Sequence, residues 1–273
     1  MEQSKERLDI LKKLEEYEKN GWFDRDLEDD PPTKPLDYTK VDYTTKKLSS
    51  KIKNKIANTV ARNYFDGLIK KRQLIIKEIR GIENYLSVEG GAIITCNHFN
   101  PFDNYAVYKA IQPHLVKKNL YKIIREGNYT SFKGLYGYFF RNCNTLPLTS
   151  SAKGLSVFMK AVSELLSRGE KILIYPEQGM WWNYKKPRPL KEGAFSIAAR
   201  NNVPIIPIFI TMEDSDVLGP DGFFVQEYTM HFLPPIYPDK EKNRKENTLI
   251  MSERNFALWK NTYEEFYKKE LTY

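Results

Sequence analysis

Apolar residues recur at helical spacing through the first quarter of the chain. Residues 5–19 set Leu8, Ile10, Leu11 and Leu14 among charges and run into Asn20-Gly21, which predicts an amphipathic helix with a glycine stop. The stretch 24–42 holds Asp29, Asp30, Pro31, Pro32 and Pro35 and predicts an extended linker. From Lys46 to about Lys71, Leu48, Ile52, Ile56, Val60, Tyr64 and Leu68 recur four apart, with Ala57, Ala61, Phe65 and Ile69 widening the stripe. That pattern predicts one long amphipathic helix.

Beyond Leu74 the period shortens. Residues 74–79 read as a strand, Gly81-Ile82-Glu83-Asn84 as a turn, and 91–96 as a short, nearly continuous apolar run of the buried-strand kind. Further apolar runs at 171–175, 205–210 and 229–233 are separated by helical patterns, notably 102–111 and 154–167. Strands alternating with helices predict an α/β domain: a mixed, largely parallel sheet flanked by helices and preceded by an N-terminal amphipathic helical region. The expected division is 1–74 for the N-terminal helices and linker, 75–240 for the α/β domain, and 241–273 for a C-terminal helix packing on it, carrying Phe256, Trp259, Tyr263 and Phe266.

Composition narrows the class. With 273 residues, 41% hydrophobic and 29% charged, the chain is long enough for a buried core and is neither disordered nor collagen-like as a whole. Two cysteines and three histidines supply neither a disulfide framework nor a CxxC zinc pattern. The first residues lack the apolar stretch of a secretory signal, and no uncharged apolar run reaches the length of a membrane span. The expected location is cytoplasmic, peripheral on the inner face of the membrane. The net charge of +8 points to an anionic partner, and its distribution is uneven. Residues 44–81 hold eleven basic and two acidic side chains, so this one segment accounts for the whole excess. A basic amphipathic helix reads as an interfacial anchor on anionic lipid, or else as a helix whose apolar stripe packs on the domain while its lysines are solvated.

Candidate chemistry lies at two strand ends. The run 91–96 leads into Asn97-His98-Phe99-Asn100-Pro101-Phe102-Asp103, which sets a histidine where parallel sheets present ligands and a carboxylate five residues on. A carboxylate on one imidazole nitrogen fixes the tautomer and leaves the other as a general base. No G-x-S-x-G elbow supplies a protein nucleophile, so the hydroxyl to be activated would belong to the substrate. The alternative is a histidine–aspartate surface pair or a helix-start aspartate facing the helix dipole. A second strand ends in Tyr175-Pro176-Glu177-Gln178-Gly179, bringing a further carboxylate to the same sheet edge.

These blocks, with Gly81-Ile82-Glu83-Asn84 before them and Val203-Pro204-Ile205-Ile206-Pro207 after, resemble in order and spacing the glycerolipid acyltransferase family, which includes lysophosphatidate and glycerol-3-phosphate acyltransferases. The resemblance covers roughly 75–236. It implies transfer of a fatty acyl group from a thioester, carried by acyl-CoA or acyl-carrier protein, to a hydroxyl of a lysophospholipid-like acceptor, with lysophosphatidate the default. His98 would be the general base, oriented by Asp103, without a metal or a tightly bound cofactor. Backbone N–H groups at 100–103 would be candidates for stabilising the oxyanion. Glu177 and Gly179 would hold the acceptor or brace the site.

The sequence departs from the family pattern where arginines are expected to grip a phosphate: Thr149 and Met180 stand there. Arg125 or Arg141, and Lys185, Lys186 and Arg188 beyond them, are candidate replacements, while Trp181 and Trp182 would stack on a sugar, bury an acyl chain or serve packing alone. The acceptor could then be a non-phosphatidate lipid such as a glycolipid. A thioester hydrolase using His98 to activate water is the rival reaction. A nucleic-acid-binding module has no supporting motif. The partners expected are an anionic membrane surface, a lysophospholipid or related acceptor, and acyl-carrier protein as one possible donor, with no nucleic acid.

Overall fold

The computed structural model describes residues 2–28 and 31–273; Asp29 and Asp30 of the expected linker lie outside the described residues. The chain runs α1 (Lys5–Lys19), α2 (Leu48–Lys70), β1 (Ile75–Arg80), α3 (Ile82–Leu86), β2 (Ala92–Cys96), α4 (Asp103–Ile111), β3 (Leu120–Ile124), α5 (Glu126–Thr130), α6 (Gly134–Asn142), β4 (Thr145–Pro147), α7 (Ala152–Ser167), β5 (Lys171–Ile174), α8 (Gly193–Asn201), β6 (Ile205–Leu218), β7 (Phe224–Phe232) and α9 (Arg244–Tyr267). A single 3-10 turn at Tyr38–Lys40 interrupts the extended linker.

The strands form one seven-stranded sheet in the order β1-β7-β6-β2-β5-β3-β4. Among the described residues the β6–β7 hairpin pairs antiparallel and the other strand–strand pairings are parallel, with a lone antiparallel bridge between Ile205 and Ile236. β2 and β5 are both fully buried, as their unbroken apolar runs require of strands covered on both faces. They lie side by side with Ala92 opposite Lys171 and Thr95 opposite Ile174, so the loops that follow them emerge together at one edge. Asn97 secures this edge from the other side: its side-chain amide donates to the Ile210 carbonyl and accepts from the Ile210 N–H, tying the end of β2 to β6.

Two cores flank the sheet. On one face Ile94, Ile206 and Ile208 meet Ala57, Ala61 and Phe65 of α2 and Ala106, Val107 and Ile111 of α4. On the other, Ile93, Ile172 and Ile205 meet Phe158, Val162 and Leu165 of α7 and Phe195 and Ala198 of α8. α9 lies on α8 and β6 and buries Trp259 against Phe209. Its start is fixed by a capping box, with the Asn243 side chain accepting from the Lys245 and Glu246 N–H groups and Glu246 accepting from the Asn243 N–H.

Three expectations change. Gly81–Asn84 is a glycine in the left-handed region followed by one turn of helix, and a Cβ at Gly81 would meet the Phe232 carbonyl at 2.2 Å, so the position admits only glycine. β6 continues eight residues past Ile210, because its far half needs only one partner, β7. The α2 stripe divides in two. Ala57, Ala61 and Phe65 are buried, while the row Leu48, Ile52, Ile56 and Val60 faces outward at 73%, 53%, 52% and 39% exposure.

Candidate active site

His98 and Asp103 meet at the mouth between β2 and α4. Asp103 opens α4 and is fully buried, and its Oδ2 lies 2.7 Å from His98 Nδ1. The same oxygen accepts from the Phe99 N–H at 3.1 Å and the Asn100 N–H at 3.3 Å. Its other oxygen accepts from the Tyr175 hydroxyl at 2.7 Å. This ring of donors keeps a buried carboxylate satisfied as an anion. With Nδ1 donating to Asp103, Nε2 is left as the acceptor nitrogen.

Tyr175, the first residue of the second block, also stacks on the His98 ring, with centroids 4.0 Å apart and planes 20° from parallel. Burial and the neighbouring Asp103 charge push its hydroxyl well above the usual phenol range, so it remains a donor. Sequence reasoning noted Tyr175 only as part of a block; its polar handle in a buried strand end was the available signal.

Glu177 sits beneath this pair. It is buried and accepts from the His98 N–H at 3.0 Å, the Arg188 N–H at 2.8 Å and Arg188 Nη2 at 3.1 Å. Arg188 is itself buried, lies 4.8 Å from the Trp181 ring centroid, and donates to the Gly179 carbonyl and to the Phe23 carbonyl. Glu177, Gly179 and Arg188 thus form one internal brace, which fixes the loop that supports His98.

Trp181 and Trp182 face α1 and its exit. Trp181 stacks on Phe23 and donates its indole N–H to the Arg25 carbonyl, and Trp182 packs against Phe223 under the Arg7 guanidinium. Lys186 pairs with Glu18 of α1, and Lys185 lies 6.0 Å from the Tyr267 ring centroid. Arg141 donates to the Tyr129 and Phe132 carbonyls, holding the bend between α5 and α6. None of Glu177, Gly179, Trp181, Trp182, Lys185, Lys186, Arg188 or Arg141 lines the cavity at His98. Arg125 does, and its guanidinium donates to both oxygens of Asp26, at 2.7 and 2.6 Å, and to the Gln178 carbonyl at 3.3 Å. Of the two positions where arginine was expected, Met180 lines the cavity, whereas Thr149 is buried and turned to Glu126.

The cavity has a volume of about 750 Å³ and begins at His98, Tyr175 and Pro101. It continues beside Ala61 and Phe65 of α2, Tyr105 and Tyr108 of α4, and Tyr136 and Phe139 of α6. Asp26 and Glu28 from the segment after α1 also line it. Sequence reasoning missed these acids and the part of α2 in the wall, because neither is near His98 along the chain. The N–H groups of Phe99, Asn100, Phe102 and Asp103 all donate within their own loop, to Asp103, Asn100 or the Asn100 carbonyl. The N–H groups of this turn are therefore already bonded within the loop that carries Asp103. Among the described residues no cluster of histidine, cysteine or carboxylate side chains has metal-binding geometry.

The family model described as Acyltransferase matches residues 77–211. A Caenorhabditis elegans protein described as a 1-acyl-sn-glycerol-3-phosphate acyltransferase is 30% identical over 121 residues, covering 44% of this chain and 41% of that protein. A chloroplastic Brassica napus 1-acyl-sn-glycerol-3-phosphate acyltransferase is 27% identical over 148 residues, covering 53% and 39% respectively. The chain thus matches about two fifths of the length of these curated relatives. The crystal structure of PlsC, the 1-acyl-sn-glycerophosphate acyltransferase from Thermotoga maritima, superposes with a TM-score of 0.47 at 16% identity, over 82% of this chain and 98% of that one.

Proposed function

The chain belongs to the glycerolipid acyltransferase family, and on that premise we propose that it moves a fatty acyl group from a thioester donor to a hydroxyl of a lysophospholipid-like acceptor, lysophosphatidate by default. The observation that carries this reading is the His98–Asp103 pair at 2.7 Å, set in the wall of a largely apolar cavity of about 750 Å³.

In this scheme His98 Nε2 takes the proton of the acceptor hydroxyl as the oxygen attacks the thioester carbonyl carbon. The tetrahedral intermediate collapses by breaking the C–S bond. The departing thiolate recovers the proton from the imidazolium, leaving an ester and a free thiol. Asp103 stabilises the transient imidazolium and holds its tautomer, and Tyr175 fixes the ring from one face. Acyl-CoA and acyl-carrier protein both fit as donors, since each presents the same thioester.

The exposed row of α2 supports a peripheral membrane location, at the inner face. Leu48, Ile52 and Ile56 stand beside Lys51, Lys53 and Lys55, which make no ion pair among the described residues, whereas Arg72, Lys77 and Arg80 further along are paired with Asp216, Glu213 and Glu78. Unpaired positive charge thereby lies beside exposed apolar surface, the combination that favours anionic lipid. No helix among the described residues is long and apolar enough to cross a membrane.

The test is acyl transfer from acyl-CoA or acyl-carrier protein to lysophosphatidate, a lysoglycolipid and water, by the wild-type protein and by His98→Ala. Product with lysophosphatidate, lost in the variant, supports the reading. Product with the glycolipid alone would replace the acceptor, and thioester loss without any acylated lipid would replace the reaction by hydrolysis.

A further inference from the structure

β3 alternates its side chains between the two cores: Leu120 enters the one beneath α2 and α4, and Tyr121 the one beneath α7. Lys122 therefore points to the Leu120 side, where it lines the cavity that begins at His98. Its ammonium makes no hydrogen bond or ion pair among the described residues. Burial pulls its pKa below the ordinary lysine value, with the Cys143 thiol its only other charged influence.

Lys122 does not stand alone there. Its N–H donates to the Asn144 carbonyl at 2.9 Å. Asn144 Oδ1 in turn accepts from Asn54 Nδ2 at 2.6 Å, and Asn54 also accepts from Asn58 Nδ2 at 2.9 and 3.0 Å. Asn58 and Asn144 both line the cavity, and Asn58 Oδ1 and Asn144 Nδ2 make no hydrogen bond among the described residues. The part of the cavity wall around Lys122 thus offers an ammonium, an amide donor and an amide acceptor that no protein group partners, away from Asp26, Glu28 and Arg125 in the same cavity.

The sheet register locates this part of the wall. Lys122 lies opposite Leu173 and Leu173 opposite Ile94, two strands across and four residues back from His98. At ordinary strand spacing this is about 16 Å between Cα atoms. An acyl chain whose thioester sits at His98 would meet Lys122 well along its hydrocarbon. Methylenes there offer these three atoms no partner, whereas a hydroxyl is both donor and acceptor and suits an amide oxygen beside an ammonium or an amide N–H.

We propose that Lys122, Asn58 and Asn144 form a subsite for a hydroxyl carried part-way along the acyl chain, making mid-chain hydroxyacyl groups the preferred donor class. The inference rests on the reading of the cavity as an acyl channel. It is tested by displacement of a fluorescent fatty acid with unsubstituted fatty acids and a positional series of hydroxy acids of equal length. The whole chain is used, as wild type and as Lys122→Met, with His98→Ala alongside.

The wild type and His98→Ala should bind mid-chain hydroxy isomers about tenfold or more tighter than the unsubstituted acid, and 2- and 3-hydroxy isomers no tighter than it. Lys122→Met should lose the preference and gain affinity for the unsubstituted acid. Asn144→Ala should shift the preference in the same direction if Lys122→Met does not fold. Equal binding of every isomer by the wild type, or an undiminished preference in the variants, overturns the subsite while leaving the acyl channel intact. Failure of any fatty acid to bind overturns the channel and the subsite with it.

Discussion

His98 and Asp103 are five residues apart and were legible in the sequence, because a single turn suffices to bring them together. The partners that decide the remaining roles were not legible. Glu177 finds Arg188 eleven residues on, Asp26 finds Arg125 across 99 residues, and Lys186 finds Glu18 across 168. Charge alone made Arg188, Arg125 and Lys186 candidate anion grips; only the fold shows which carboxylates they already pair with. Two substitutions separate these roles. Glu177→Ala leaves the buried Arg188 guanidinium unpaired and should cost about 3–5 kcal/mol of folding stability, read in denaturant melts, whereas a residue that only gripped the acceptor would raise KM and leave stability unchanged. Tyr175→Phe keeps the ring on His98 and removes one hydrogen bond to the Asp103 carboxylate. A charged hydrogen bond of about 1.5–3 kcal/mol predicts a fall in kcat of tenfold or more with KM nearly constant; an unchanged kcat would remove Tyr175 from the catalytic support.

At the scale of elements, the apolar runs of β2, β5 and β6 announced themselves because each is covered on both faces. β3 and β4 did not, since β3 is interrupted by Lys122 and β4 spans only Thr145–Pro147. The α2 periodicity was read correctly as a helix, but a row of leucine and isoleucine in sequence does not say whether protein or lipid covers it. The exposed row predicts binding to vesicles containing anionic lipid that weakens with added salt and is lost in Ile52→Glu/Ile56→Glu, measured by co-sedimentation; retained binding by this variant would move the anchor elsewhere. The β6–β7 hairpin carries a second, independent expectation. His231 is buried against the Thr211 hydroxyl at 2.9 Å, and burial lowers its pKa to about 4. Because the unfolded chain then binds the proton more readily, this residue's contribution is intact above the ordinary histidine pKa and falls away as pH drops from about 6.5 toward 4. The loss is of order 3 kcal/mol by pH 4, so His231→Gln should flatten the pH dependence of Tm in that window, and an unchanged slope would contradict the assignment.

Across the whole molecule, the positive excess, the apolar cavity and the His98 pair are separate features that one long helix brings together. α2 exposes Leu48, Ile52 and Ile56 outward and turns Ala61 and Phe65 into the cavity wall, so the proposed lipid-facing surface and the proposed acyl channel are two sides of the same element. That coupling was only half legible, because the sequence gives the charge and the stripe but not which face looks inward. Transfer of an acyl group to a lipid hydroxyl is measured most directly by its stoichiometry. Thiol release and acylated lipid are quantified in one reaction containing an acyl thioester and lysophosphatidate on anionic vesicles. One acylated lipid per thiol released, with both abolished in His98→Ala, is the predicted result; thiol released without acylated lipid would contradict it.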